Sequence, residues 1–371
     1  MKKAASEQPQ EGLSKIEDRY RTFNRNLFEA LPVGLALALM DGTLVDINPA
    51  YATIIGRTIE ETKKLTYWDI TPEKYTDQEQ QQLKSLTETG KYGPYEKEYI
   101  HKDGHLVSVR LQGKMIERDG IKYIWSSVED ISDRKRVEKE LQWKSNLDAA
   151  LAALYSPLIS PSSTIVDIAL IIKIQAQKLT ESTQCYVGSI DPNKSDLITH
   201  TLSEMMRNGQ CAVLHESNRR ITFPKGKDAK YGRLWGFSLN KQEAFYTNDA
   251  QNHSESRGTP EGHIKIEKFL SIPVMLEQQL VGQISLANPS RDYTDQDLVT
   301  GSRLAEFFAL AIQKLRFEED MKSRAEELEI FNKSMVDREM RIVELKKEIN
   351  KLSEELNRPV RFPEFWEQKE N

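Results

Sequence analysis

Between residues 328 and 356, apolar side chains return every seven residues: Leu328, Met335, Ile342, Ile349 and Leu356 at one position, with Phe331, Leu345 and Leu352 at another. A repeat averaging 3.5 residues requires a long helix that winds around a second helix. β-Branched Ile at a with Leu at d favours a parallel two-stranded coiled coil, so these eight residues are expected to make the chain a homodimer. Arg338 takes the remaining d position and reads as a solvated interruption of the seam. From 317 to 358, 21 of 42 residues are charged, against 29% for the whole chain. The surplus of charge over an ordinary globular composition therefore sits in this helix. Pro359 ends it, and 359–371 reads as a tail carrying Phe362, Phe365 and Trp366.

The rest of the 371 residues has room for two domains. Lys and Arg number 52 against 57 Asp and Glu, a net −5 that is too balanced for nucleic-acid binding by bulk charge. Two cysteines, Cys185 and Cys211, make no disulfide framework or zinc cluster and suit a reducing compartment. Met1–Gln10 lacks the apolar core of a signal peptide, and the longest mostly apolar run, Leu31–Met40, is about half a membrane span. A cytoplasmic protein is expected, with neither membrane nor nucleic acid as partner.

The expected order is a flexible tail at 1–15, a helix at 16–31 and a first domain at 32–131. A linker helix at 132–160, a second domain at 161–316, the coiled coil at 317–358 and the tail at 359–371 follow. Ile16, Tyr20, Phe23, Leu27 and Ala30 form a helical stripe. A hairpin turns at Asp41-Gly42. Two more Asp-Gly turns, at 103–104 and 119–120, separate alternating strands and describe a three-stranded meander. Pro157 and Pro161 are expected to break the linker helix. The second domain opens with a helix whose inner face is Ile165, Ile168, Ile172, Ala176 and Leu179. Strands near 185–190, 197–202, 269–276 and 280–287 follow. The capping box Thr294-x-x-Asp297 starts the last helix. The fold class is α+β, with an antiparallel five-stranded sheet in the first domain.

The stretch "FEALPVGLALALMDGTLVDINPAYATIIG", the segment "YWDITPE" and the closing phrase "WSSVEDISDRKRVEKEL" resemble a PAS domain over about 20–140. The last phrase is similar to the PAC-type ending that hands a PAS sheet to a signalling helix. The stretches "LWGFSLNKQEAFYTND" and "GTPEGHIKIEKFLSIPVMLEQQLVGQISLANPSRDYTDQDL" resemble a GAF domain over about 145–318. The pair is similar to the sensor region of bacterial and archaeal multidomain histidine kinases. The resemblance implies ligand or redox sensing, relayed through dimeric helices to a trans-acting partner such as a histidine kinase of a two-component system. Two alternatives stand beside it. One is the sensory fragment of a kinase whose transmitter is lost or separately encoded; the other is a dimerisation scaffold that senses nothing.

No enzyme is expected in this chain. The one His-Glu pair, His215-Glu216, lacks the residues that follow a phosphoacceptor histidine. A P-loop, an ATP-lid glycine pattern, a Gly-Gly-Asp-Glu-Phe stretch and a paired nucleophile and base are likewise missing. No metal site is expected, and His101 and His105 read as solvated residues of a turn. No cofactor is required by the sequence. Residues 1–140 contain no cysteine, which excludes LOV-type flavin chemistry, and 77–90 contain no histidine for a PAS haem. What remains is an apolar first-domain pocket whose candidate lining residues are Asn48, Tyr51, Trp68, Tyr99 and Trp125. In the second domain the candidates are Cys211, Trp235, Asn240, Asn248, His253 and His263, with Cys211 the candidate haem ligand. Cyclic-nucleotide GAF domains carry Lys and Glu where this chain has Pro289 and Leu298, which argues against that ligand.

Overall fold

Each Asp-Gly pair sits where the backbone must turn through positive φ, at Gly42, Gly104 and Gly120. The strands between them pair accordingly. The computed structural model describes residues 8–201, 222–226, 228–259 and 263–362, and it divides the chain at 144/145 into two compact units.

In the first unit, helix α1 (Gln8–Ala30) precedes β1 (Gly34–Leu39) and β2 (Leu44–Ile47). Three short helical segments follow: α2 (Pro49–Ile54), α3 (Ile59–Thr62) and a single 3-10 turn at Glu73–Tyr75. They lead into α4 (Thr76–Thr89) and the meander β3 (Lys91–Ile100), β4 (Leu106–Arg118) and β5 (Ile121–Asp130). The antiparallel sheet has the order β2-β1-β5-β4-β3. Alternation along β5 places Ile124 and Val128 in the core, packed with Ile47, Ile55, Ile70 and Leu86. Tyr92 fits over β4 because residue 113 is glycine; a Cβ there would lie 2.3 Å from the Tyr92 ring.

Helix α5 (Ser132–Ile159) runs through Pro157. The expected break at that proline does not occur. Pro157 lies in the last turn, where loss of one backbone bond and a local clash are tolerated more easily than mid-helix.

The second unit contains α6 (Ile165–Thr180), β6 (Ser182–Ile190), β7 (Leu197–Thr199), β8 (Thr222–Phe223) and α7 (Arg233–Lys241). Then come β9 (Phe245–Thr247), β10 (Phe269–Leu276), β11 (Gln279–Pro289) and α8 (Asp295–Glu355). The six described strands are ordered β8-β7-β6-β11-β10-β9. Strands β10 and β11 are buried along most of their length, as expected of strands covered on both faces. Ile168, Ile172, Leu304 and Phe308 pack with Val187, Ile272 and Ile284 in the main core.

The start of α8 is strongly fixed. Asp297 is almost wholly buried and accepts from the Thr294 amide at 2.8 Å, completing the capping box. Arg291 holds both Asp297 oxygens at 2.7 and 2.8 Å. Such a cap contributes about 1 kcal/mol. Beyond the sheet, α8 continues as one helix of 61 residues, on the order of 90 Å. Leu328, Phe331, Met335, Ile342, Leu345, Ile349 and Leu352 are exposed on it, as is Leu356 at its C-cap. The chain then reverses: Asn350, nearly buried, accepts from the amides of Arg361 and Phe362 and donates to the Phe362 carbonyl. Residues 359–362 thus fold back on α8 rather than leaving it, while Phe365 and Trp366 lie outside the described residues.

Candidate functional site

Strand β3 reads Tyr95-Glu96-Lys97-Glu98-Tyr99, and the period of two sends Tyr95, Lys97 and Tyr99 to one face and the two glutamates to the other. On the inner face, five tyrosines (Tyr51, Tyr67, Tyr92, Tyr95 and Tyr99) surround a cavity of about 40 Å³. Helix α4 brings Glu79 to it. Glu79 and Lys97 form an ion pair at 2.7 Å with side chains 7% and 1% exposed. Tyr95 donates to the Glu79 carboxylate, and Lys97 donates to Thr71 Oγ1 at 2.9 Å. The ammonium also lies 4.8 Å from the centre of the Tyr99 ring. Tyr92 donates to Ser126 at 2.6 Å. The Tyr67 hydroxyl is buried and has no hydrogen-bond partner among the described residues.

Burial dominates the electrostatics. It lowers the Lys97 pKa from the ordinary lysine value, and the Glu79 carboxylate opposes that shift. Burial pushes Tyr51 up to about 12 and, with Glu79 adding to it, raises Tyr95 far above the tyrosine range. All five hydroxyls are therefore neutral donors near pH 7. A free volume of about 40 Å³ holds about three waters, or a ligand of as few heavy atoms. It is far below the several hundred Å³ of sites that take a drug-sized or cofactor-sized molecule.

The expectation of an apolar pocket is corrected: its wall carries a buried ion pair and a ring of hydroxyls. Tyr51 and Tyr99 do line it. Asn48, Trp68 and Trp125 do not. Asn48 is buried as a clamp, accepting from the Leu35 and Tyr51 amides at 2.8 and 3.0 Å and donating to the Val33 carbonyl at 2.8 Å. Trp68 packs beside Tyr67, ring centres 5.0 Å apart, and against Gly42. Trp125 follows an inward residue on β5, so it points to the opposite face and meets Phe28 of α1 at 5.9 Å. Glu79, Lys97, Tyr67, Tyr92 and Tyr95 were not legible as site residues. The alternating Tyr-x-Lys-x-Tyr of β3 was their one local signal.

The outer face of β3 meets the start of α5. Glu96 pairs with Arg134 and, at 2.6 Å, with Lys135. The Ile131 amide donates to the Ser108 carbonyl at 2.9 Å, and Ser132 Oγ accepts from the Ser108 amide at 3.2 Å. The residues of the "EDISDRK" phrase thus fasten the helix start to the edge of the sheet.

In the second unit, Trp235 packs with Phe223 and Tyr231 at 4.8 and 5.8 Å. Asn240 bonds the Tyr231 amide and carbonyl at 2.9 and 2.7 Å and borders a recess of about 330 Å³ with Lys225, Lys230 and Tyr231. Trp235, Asn248, His253 and His263 do not line that recess. Asn248 clamps the Tyr293 backbone, and His253 packs its ring on Phe237 and Phe245. His263 Nδ1 lies 2.8 Å from the Ile264 carbonyl. Cys211 and His215-Glu216 lie outside the described residues. Cys185 is buried, and that burial pushes its thiol up to about 12. On the face of the sheet that α7 covers, Gln283 donates to Trp235 O, Ser238 and Ser271 and accepts from Tyr186.

Residues 32–133 match the PAS domain family and residues 162–313 match the GAF domain family. The family models found are these two, and a catalytic domain is not among them. The chain therefore carries a PAS domain followed by a GAF domain. It is 23% identical over 360 residues, 96% of its length, to the methyl sulfide methyltransferase-associated sensor of Methanosarcina acetivorans. It spans 33% of that protein. A second similarity, 30% over 122 residues, is to the probable diguanylate cyclase DgcE of Escherichia coli K12, covering 32% of this chain and 11% of that one. Among solved structures, a PAS domain from Colwellia psychrerythraea is 16% identical at a TM-score of 0.29, covering 31% of this chain and 98% of its own. The GAF domain of a phosphoenolpyruvate-protein phosphotransferase from Coxiella burnetii is 16% identical at 0.38, covering 47% and 98%. No described helix is long and apolar enough to cross a membrane.

Proposed function

We propose that the chain is the sensory part of a signalling system whose PAS cavity takes a polar molecule of about three heavy atoms. The buried Tyr67 hydroxyl without a partner carries this reading, because an unsatisfied hydroxyl beside free volume is uphill by about 1–3 kcal/mol until something bonds to it. A carboxylate or hydroxyl oxygen supplies the acceptor that the Tyr67 hydroxyl lacks. Strand β3 supplies the route outward. Lys97 faces the cavity while its neighbour Glu96 holds Arg134 and Lys135, so a ligand that moves Lys97 also moves the anchor of α5. Helices α5 and α8 then carry the change to a partner, with a histidine kinase acting in trans or in a longer chain as the expected recipient. The exposed heptad on α8 supports a parallel homodimer, since eight apolar side chains in coiled-coil register gain by pairing. Nothing in this reading requires catalysis, a membrane or nucleic acid.

The test uses the full chain with formate, ethanol and dimethyl sulfide, each of three heavy atoms, the last chosen for the compound in the relative's name. Formate or ethanol is expected to raise the melting temperature with dose and to slow hydrogen exchange at 132–144. Tyr67→Phe should abolish both effects, while Glu96→Gln should keep the melting shift and lose the exchange change. A panel without any shift overturns the ligand class. A shift from dimethyl sulfide alone, unaffected by Tyr67→Phe, overturns the role of the hydroxyl.

A further inference from the structure

We propose that the tip of the β3–β4 hairpin is a binding site for a divalent transition-metal ion, ligated by His101, Asp103 and His105. The five residues between the strands hold all three ligands, at every second position. The turn is closed by its own backbone: the His101 amide donates to the His105 carbonyl at 2.9 Å, and the Gly104 amide to the His101 carbonyl at 2.9 Å. That closure sets the two histidines opposite each other with the aspartate at the apex. His101 Nδ1 lies 2.9 Å and His105 Nδ1 2.5 Å from the same Asp103 oxygen, and the three potential ligand atoms fall within 4.8 Å of one another. A tetrahedral ion with bonds near 2.0 Å needs its ligand atoms roughly 3.3 Å apart. The two imidazoles stack with ring centres 4.2 Å apart, so an ion is admitted by side-chain rotations that turn the rings and widen the 2.9 and 2.5 Å separations toward the spacing the ion needs.

The anchor of the site is His101, whose side chain is 23% exposed while those of Asp103 and His105 are 63% and 57% exposed. Its ring rests on the backbone of Gly56, at the end of α2; a Cβ there would lie 2.0 Å from His101 Nε2. Gly56 is at φ +66°, so both space and backbone geometry call for glycine. The ring is therefore held with Nδ1 toward Asp103. The Lys102 amide bonds the Ile55 carbonyl at 3.0 Å, fixing the hairpin to the same turn. The one lysine within the hairpin tip is neutralised, because the Lys102 ammonium pairs with Glu61 at 2.7 Å. Two imidazoles and a carboxylate suit Zn²⁺, Cu²⁺ or Ni²⁺ rather than Mg²⁺ or Ca²⁺, which select oxygen donors. The solvent side leaves coordination positions for water. The site is separate from the tyrosine-lined cavity and does not depend on what that cavity binds.

Calorimetric titration of Zn²⁺ into the chelator-stripped full chain tests the assignment. The wild type is expected to bind one equivalent that His105→Ala and Asp103→Asn each weaken by at least about tenfold, whereas His253→Ala keeps it. In the wild type the same equivalent should shift the ring ¹⁵N resonances of His101 and His105, a readout that does not rely on any variant folding. Absence of Zn²⁺ binding by the wild type overturns the site. So does equal stoichiometry and affinity in both hairpin variants, or ring resonances of His101 and His105 that stay in place.

Discussion

At the scale of single residues, the pair Glu79–Lys97 is the most consequential contact in the PAS domain, because both charges are withdrawn from water. Taking one partner away leaves the other charge buried and alone, which costs about 3–5 kcal/mol, whereas replacing both with apolar groups of similar volume is often near neutral. Glu79→Ala is therefore expected to lower the stability of the PAS domain by that amount, and Glu79→Leu with Lys97→Met to recover most of it. Chemical denaturation of the three proteins checks this, and a loss below about 1 kcal/mol in the single variant would refute it. The sequence placed Tyr51 and Tyr99 at the cavity but not Glu79, which is 18 residues from Lys97 and meets it only because α4 packs across β3. Asn48 shows the opposite error. Its position at the helix start was visible, yet its side-chain bonds go to the Leu35 and Tyr51 amides and to backbone carbonyls at 28 and 33, leaving none for a ligand.

Among the elements, the strands and turns of the PAS meander were readable because their signals are local. The Asp-Gly pairs set positive φ at the turns, and the period of two set the faces. Helix α5 ran past Pro157 because a proline in the last turn disturbs few bonds. The direction of Trp125 was missed for want of a register: a one-residue difference along β5 exchanges the two faces, and the pairing Leu37↔Trp125 is set by β1. For α8, Leu345 and Ile349 are 42% and 40% exposed along a stretch in which half the residues are charged. Sedimentation at micromolar concentration is expected to give a dimer for the wild type. Leu345→Asp with Ile349→Asp should give a monomer whose far-ultraviolet circular dichroism keeps the signal of the two domains. A monomeric wild type would defeat the coiled-coil reading.

For the molecule as a whole, two units with separate cores predict two unfolding events. Differential scanning calorimetry of the full chain should resolve two transitions, with Glu79→Ala lowering one and leaving the other within about a degree. A single transition that moves as a whole would contradict this. The Asp-Gly meander, the two-domain plan and the heptad are written in local signals, because periodicity, turn residues and caps act over a few neighbours. Which polar groups meet depends on packing instead: Glu79 with Lys97 and Tyr95, Glu96 with Arg134 and Lys135, and the His101 ring on Gly56. These contacts join residues far apart in the chain. The sequence states the chemistry of each partner, but their distance is set by how helices and strands pack on one another.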